Sequence, residues 1–204
     1  NMLKGNKIRK EIKTDSLGKL YSQDEIDTAI VSYSQDSDLE IKKYDNLEKM
    51  YDLFASYIED GYITSWFQGR SEFGPRALGN RSIIADPRRA DMKDILNSRV
   101  KFREAFRPFT PSVLAEKSSE FFELNVESPF MLLAAYVKKG KAKLVPAITH
   151  EDNTARVQTV TRDVNAPYYD LIQAFYKRTN IPMVLETSFN VADEPIVESP
   201  SDAI

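Results

Sequence analysis

Tyr62-Ile-Thr-Ser-Trp-Phe-Gln-Gly-Arg-Ser-Glu-Phe-Gly-Pro-Arg-Ala-Leu-Gly-Asn-Arg-Ser-Ile-Ile-Ala85 reads as a strand, a Gly/Arg-rich loop and a second strand in one run. Tyr62 to Phe67 is aromatic and β-branched, Ser82 to Ala85 is short and apolar, and Gln68 to Gly79 breaks any periodic pattern between them. Upstream, Leu47, Met50, Tyr51, Phe54 and Ile58 recur at helical spacing, with Asn46 as N-cap and Gly61 as the stop. Downstream the alternation continues with a helix over 91–98, a strand near 111–114, a short helix at 117–122 and a strand at 131–137. A strand at 156–161, a helix over 167–177 and a strand at 183–186 complete it. Helices alternating with short buried strands predict an α/β domain with a mixed β-sheet flanked by helices. Before about Asp45 the chain is polar, and Ser22-Gln-Asp-Glu25 is a capping box that opens a helix through Ile30. Residues 1–45 therefore read as a partly flexible lead-in and 46–204 as the domain, with a last helix start at Ser199-Pro-Ser-Asp.

At 204 residues, 42% hydrophobic and 29% charged, the chain has apolar material for one core. Its longest apolar run, Phe130 to Val137, suits a buried strand and falls far short of the ~20 residues of a membrane helix. Asn1-Met2-Leu3-Lys4-Gly5 carries no signal core, so a cytoplasmic protein without a membrane partner is expected. Zero cysteines exclude disulfides and thiolate chemistry, and the single His150 excludes a multi-histidine metal centre, so no protein-held metal is expected. A net charge of −3 offers nucleic acid no overall attraction. The arginines are nonetheless crowded: Arg70, Arg76, Arg81, Arg88, Arg89, Arg99, Arg103 and Arg107 share one short stretch, which suggests a pocket for a small anion.

Three clusters carry the chemistry. In the loop from Gly69 to Ser82, glycines such as Gly74 admit close backbone approach, and Arg70, Arg76 and Arg81 offer forked donors suited to phosphate or carboxylate. Glu72 is placed to orient Arg76 or Arg81; the plainer reading is a surface turn whose arginines pair with Glu72 and Asp86. The spacing is neither a Walker A nor a Rossmann pattern. In Val100-Lys-Phe-Arg-Glu-Ala-Phe-Arg-Pro-Phe-Thr-Pro-Ser112, an extended backbone would put Lys101 and Arg103 on one face and Val100 and Phe102 on the other, with Arg107 following. Two cations on one face suit a phosphate chain, and a solvated charged face is the alternative. In Met183-Val-Leu-Glu-Thr-Ser-Phe-Asn-Val-Ala-Asp-Glu-Pro195, Thr187, Ser188 and Asn190 leave a buried strand at its end, where α/β domains hold ligands, although an Asx or Ser/Thr turn would look the same. Arg156 at a strand start is a further candidate, His150 reads as structural, and Trp66 and Phe67 read as core.

Taken together, these runs resemble the C-terminal region of the bacterial O-carbamoyltransferases of nodulation-factor and antibiotic biosynthesis, the NodU/CmcH family. The resemblance is carried by Phe67-Gln-Gly-Arg-Ser-Glu-Phe-Gly-Pro-Arg-Ala-Leu-Gly-Asn-Arg-Ser-Ile83, Lys101-Phe-Arg-Glu-Ala-Phe-Arg-Pro-Phe109, Ala155-Arg-Val-Gln-Thr-Val160 and Thr187-Ser-Phe-Asn190, and it runs from about Leu17 to the end. The same region is similar to the YrdC-like fold of threonylcarbamoyl-adenylate synthases, in which a Lys-x-Arg and a Ser-x-Asn element line the nucleotide pocket. Lys101/Arg103 and Ser188/Asn190 fit those elements.

The resemblance implies formation of carbamoyl-adenylate and pyrophosphate from ATP, with its Mg²⁺, and carbamoyl phosphate. A separate N-terminal actin-like domain, bearing a histidine-rich metal site, would then pass the carbamoyl group to a hydroxyl. On this reading Lys101 and Arg103 hold phosphate oxygens, Arg76 and Arg70 the carbamoyl phosphate, and Ser188 and Asn190 the triphosphate or its Mg²⁺. Glu72, Gly74, Arg81, Arg107, Arg156 and Thr187 complete the implied binding set. Glu186 stands where the family usually has Asn, Asp193 where it has Gly, and Lys19 where it has Pro; an ionised Glu186 would repel a phosphate unless a cation intervened. The alternative reading is a non-catalytic anion- or RNA-binding or scaffolding module, with the acidic net charge counting against RNA.

Overall fold

The computed structural model describes residues 12–33 and 40–204; the N-terminal run Asn1 to Gly5 lies outside the described residues. Helix α1 (Gln23–Tyr33) opens on the capping box, with the Ser22 N–H donating to Glu25 Oε2 at 2.9 Å and the Glu25 N–H to Ser22 Oγ at 3.3 Å. Helix α2 (Leu47–Glu59) starts where Asn46 Oδ1 accepts the Lys49 N–H at 3.1 Å, and the chain turns away through Gly61 at φ +89°. Strand β1 (Thr64–Phe67) begins two residues later than expected, and β2 (Arg81–Ala85) follows the Gly/Arg loop. Then come α3 (Met92–Arg99), β3 (Thr110–Leu114), the single-turn α4 (Ser118–Phe121), β4 (Leu133–Tyr136) and β5 (Thr154–Val160). Helix α5 (Ala166–Thr179), β6 (Met183–Ser188) and a short α6 (Pro200–Ala203) end the series.

The strands form one six-stranded mixed sheet in the order β1-β2-β6-β3-β5-β4, so the fold is α/β as expected. Every pairing is antiparallel except β3 with β5. Strand β6 is central, and Thr187 and Ser188 are its last two residues. The apolar run at 130–137 departs from expectation: β4 ends the sheet order, its far side meeting only a bridge between Phe122 and Val137, and Leu133 is 40% and Tyr136 59% exposed. Helices α2 and α5 pack on each other, burying Ala55, Ile58, Leu171 and Phe175. Arg178 ties them at the surface by reaching Asp52 at 3.0 Å and Glu59 at 2.7 Å. Trp66 is buried between Tyr51 and Phe54. Among the described residues no helix is long and apolar enough to cross a membrane.

Side chains alternate across a strand, and the register therefore puts Ser82, Glu186, Thr110, Ser112 and Gln158 on one face of the sheet. This buried polar band is hydrogen-bonded internally, as desolvation demands. Ser82 Oγ donates to Glu186 Oε1 at 2.8 Å, Ser112 Oγ to Gln158 Oε1 at 2.7 Å, and Gln158 Nε2 to the Leu78 carbonyl at 2.8 Å. The last of these bonds ties the sheet to the Gly/Arg loop.

Candidate functional site

The loop between β1 and β2 is held from several sides. One oxygen of Glu72 accepts the N–H groups of Leu78 at 2.7 Å and Asn80 at 2.8 Å, and the Gly79 N–H donates to Ser82 Oγ at 3.0 Å. Gly79 sits at φ +100°, and a Cβ there would run into the Tyr168 ring, so glycine is required twice over. The lead-in segment clasps the outside: the Phe73 N–H donates to the Asp15 carbonyl at 2.8 Å, the Gly18 N–H to the Ser71 carbonyl at 3.0 Å, and Asn80 Nδ2 to Ser16 Oγ at 2.7 Å. Gly74, at φ +126°, and Pro75 line a cavity of about 430 Å³ on one side of the loop. Arg76 lines another, of about 170 Å³, together with Arg103, Arg156, Thr187 and Ser188.

Residues 100–107 are a turn rather than the extended segment expected, and buried Asn97 is the reason. Its carbonyl oxygen accepts the Arg103 N–H at 3.0 Å, and its Oδ1 accepts Arg103 Nε at 2.8 Å. Its Nδ2 donates to the carbonyls of Arg107 at 3.1 Å and Ala105 at 3.3 Å. The tight winding leaves Phe102 at φ +43° with 68% of its surface exposed, while Lys101 turns inward to 7% exposure. A period-2 reading could not anticipate this, because a single side chain from the preceding helix sets the local backbone. The one advance signal is weak: Asn is a poor helix former, and its presence late in α3 needs another use.

Lys101 Nζ is surrounded by acceptors from the third cluster. It donates to the Ser188 carbonyl at 2.6 Å, the Asn190 carbonyl at 2.8 Å and Asn190 Oδ1 at 2.8 Å, with Ser188 Oγ at 3.3 Å. Ser188 Oγ donates to Asn190 Oδ1 at 2.6 Å, and Asn190 Nδ2 to the Glu194 carbonyl at 2.7 Å. The ammonium's three protons are thus committed to the turn after β6. Burial, and then Arg103 nearby, lower its pKa to about 8.

Arg103 and Ser188 line both the 170 Å³ cavity of Arg76 and an adjoining one of about 570 Å³ that also holds Lys101, Phe102, Arg107 and Asn190. The two cavities share this wall, so the three sequence clusters converge on Ser188. Cations outnumber carboxyls in this region, with Glu104 and Asp193 lining the larger cavity and Glu186 the smaller. Arg156 Nε is buried without a hydrogen-bond partner, and among the described residues neither Arg76 nor Arg156 is in an ion pair. Burial and then the neighbouring Arg76 lower the pKa of Arg156. Unpaired guanidinium groups at the end of a central strand make a receptor for an oxyanion.

A family model described as Carbamoyltransferase C-terminus matches residues 55–204. The chain belongs to this family. Nodulation protein NolNO of Sinorhizobium fredii is 56% identical over 153 residues, 74% of this chain and 22% of that protein. Nodulation protein NolO of Bradyrhizobium diazoefficiens is 56% identical over 153 residues, 74% of this chain and 28% of that one. The 3'-hydroxymethylcephem-O-carbamoyltransferase of Amycolatopsis lactamdurans is 35% identical over 154 residues, 76% of this chain and 29% of its own length. The chain spans about a quarter of the length of these relatives.

In this carbamoyltransferase C-terminus, two of the expected ligand arginines have other tasks. Arg81 is fully buried, and its guanidinium donates to the carbonyls of Gln68 at 2.7 Å, Asn80 at 3.0 Å, Gly69 at 3.2 Å and Glu198 at 3.4 Å while lying 3.6 Å from the Phe67 ring centroid. It staples the loop through both terminal nitrogens, while its Nε is buried without a hydrogen-bond partner. Arg70 donates to the Gly18 carbonyl at 2.7 Å and lines a separate 620 Å³ cavity under the lead-in segment. Glu72 grips backbone N–H groups instead of orienting Arg76 or Arg81. Arg107 stays at the site's rim, paired with Glu104 at 3.0 Å. His150 is half-buried beside Thr154, at 3.2 Å from its Oγ1, with burial lowering its pKa.

Glu186 also corrects an expectation. It is 2% exposed and lies between Ser82 and Thr110, whose hydroxyl is 3.4 Å from Oε2. Burial pushes its pKa up to about 8, against the lowering effects of the Ser82 hydrogen bond and of Lys101. At neutral pH the carboxyl is mainly protonated, so it lines the arginine-walled cavity without repelling an anion there.

Proposed function

We propose that this carbamoyltransferase C-terminus forms and holds carbamoyl-adenylate, using ATP with its Mg²⁺ and carbamoyl phosphate, and that another domain of the same polypeptide passes the carbamoyl group to a hydroxyl. The observation that carries the proposal is the meeting of Arg76, Arg156 and Arg103 beside Ser188, with none of the three in an ion pair among the described residues. Water splits carbamoyl phosphate into carbamate and inorganic phosphate; a carbamate oxygen then attacks the α-phosphorus of ATP, and the α–β bridging oxygen leaves with pyrophosphate. Carbamate is already an anion, so the nucleophile needs no general base, and the protein's work is positioning and charge neutralisation. Arg76 and Arg156 are assigned to the phosphoryl group of carbamoyl phosphate, and Arg103 and Arg107 to the nucleotide phosphates. Thr187, Ser188 and Asn190 shape the strand-end wall, with Lys101 lending charge and fixing the turn. A cytoplasmic setting, where ATP is supplied, belongs to the same proposal.

The test is to incubate the protein with ATP, Mg²⁺ and carbamoyl phosphate and to follow pyrophosphate and phosphate together. Release of both in equal amounts is expected, with Arg76→Ala and Arg156→Ala each reducing it and weakening carbamoyl phosphate binding in calorimetry. A folded protein that binds neither ATP nor carbamoyl phosphate would falsify the proposal.

A further inference from the structure

Phe102 is unusual on three independent counts. A bulky non-glycine residue at φ +43° occupies the left-handed region, where its Cβ is crowded. Its ring is 68% exposed although apolar. It also lines the 570 Å³ cavity, between the two cations of the Lys101-Phe-Arg103 triplet. Strained conformations of this kind persist only where the surroundings over-determine them. Here both neighbours are pinned: Lys101 by its bonds to Ser188 and Asn190, Arg103 by backbone and side-chain bonds to Asn97. The chain between two fixed points has to pass through Phe102, and the ring is left at the cavity rim instead of in the core.

Val191, itself 44% exposed, and Ala192 line the same cavity, so apolar surface stands in it beside the cations and the carboxylates of Glu104 and Asp193. Arg103 is drawn the other way, its guanidinium 4.8 Å from the Phe109 ring centroid, so it does not cover Phe102. A cavity of this size that holds both arginines and a free aromatic face is matched to a molecule that is anionic at one end and flat and apolar at the other.

We propose that Phe102 is the stacking platform for the base of the bound nucleoside triphosphate, with Arg103 next to it on the phosphates. This rests on the nucleotide reading above and deepens it. Every base presents a π-face, so Phe102 contributes affinity for a planar base without choosing among bases.

The test compares ATP with inorganic tripolyphosphate by calorimetry in the wild-type protein, Phe102→Gly, Phe102→Ala and Phe102→Trp. Glycine accepts the left-handed conformation without strain, so Phe102→Gly removes the ring and keeps the turn. The expected result is an ATP affinity reduced about tenfold in the Gly and Ala variants, the ~1.4 kcal/mol equivalent lying within the range of one base–aromatic stack. Tripolyphosphate affinity should be unchanged, and Phe102→Trp should keep ATP affinity at or above the wild-type value. If Phe102→Gly weakens ATP and tripolyphosphate equally, or neither, the stacking role is overturned while the anion site stands. If wild-type protein binds tripolyphosphate no better than the double variant Arg76→Ala/Arg103→Ala, the underlying site reading is wrong and the stacking proposal falls with it.

Discussion

The side-chain nitrogen of Lys101 lies 2.8 Å from Asn190 Oδ1, 89 residues further along the chain, and this contact fastens the turn after β6 to the loop after α3. Lys101→Met keeps most of the aliphatic stem and leaves the Ser188 and Asn190 carbonyls without their charged donor. A loss of about 1.5–3 kcal/mol is expected from hydrogen bonds to a charged group, read as a lower urea midpoint. Lys101→Arg should not restore it, since a planar fork cannot place three protons on acceptors arranged around one nitrogen. A Lys101→Met protein as stable as wild type would show that the turn holds itself.

Glu186 gives stability a pH dependence of defined sign. Its folded pKa of about 8 lies above the ordinary 4.5, so the folded state binds the extra proton. The resulting stabilisation is complete below pH 4.5, declines through the interval and is gone above about pH 8. Lys101 works in the opposite direction but only between about 8 and 10.5, where the unfolded chain holds the proton that the folded one has lost. Asp15, raised by burial to about 6, and His150, lowered by burial from 6.5, also titrate below pH 8, so the difference between wild type and Glu186→Gln is what isolates the carboxyl. Between pH 5 and 8 the urea midpoint of Glu186→Gln should decline less than that of wild type; parallel curves would contradict the assignment.

Asn97→Ala should loosen residues 100–107 without disturbing α3, because the lost bonds all run from its side chain to that turn. About 1–3 kcal/mol of stability is expected to go with the unsatisfied carbonyls and Arg103 Nε. ATP affinity should fall in parallel, since Arg103 loses its orientation. Amide exchange confined to 100–107 would locate the effect, and exchange spreading evenly over the sheet would argue for a core role instead.

Arg76 is crowded by Arg156 in the unliganded protein. Arg76→Gln should raise the melting temperature slightly, by the equivalent of about 0.2–1 kcal/mol for a relieved partly exposed charge contact. The same variant should lose most of the upward shift that carbamoyl phosphate gives wild type, since a tenfold weaker affinity removes about 1.4 kcal/mol of ligand stabilisation. Melting curves with and without the ligand check both halves.

Much of the architecture was legible because its signals are local. Asn46 and Ser22 announce their helices through side-chain geometry that needs no other part of the molecule. The joining of three distant segments at Ser188 was legible only as a resemblance, since a parallel β3–β5 pair and a central β6 are long-range pairings that no spacing rule encodes. Arg81 and Arg76 could not be told apart in sequence: both are loop guanidiniums. What separates them is that four carbonyls close over Arg81 and, among the described residues, none over Arg76, a matter of burial. Asn97 escaped notice because a polar residue late in a helix ordinarily faces water, and here it faces the next turn.

The clasp made by residues 15–18 bears on where this unit begins. Asp15, Ser16 and Gly18 lie some forty residues upstream of the stretch that the family model matches, which starts at residue 55, yet they satisfy backbone and amide groups of Phe73, Asn80 and Ser71. A polypeptide trimmed to that stretch would keep all six strands and lose the buckle of its arginine loop. The boundary drawn by the family model and the boundary drawn by mechanical integrity are different lines on this chain.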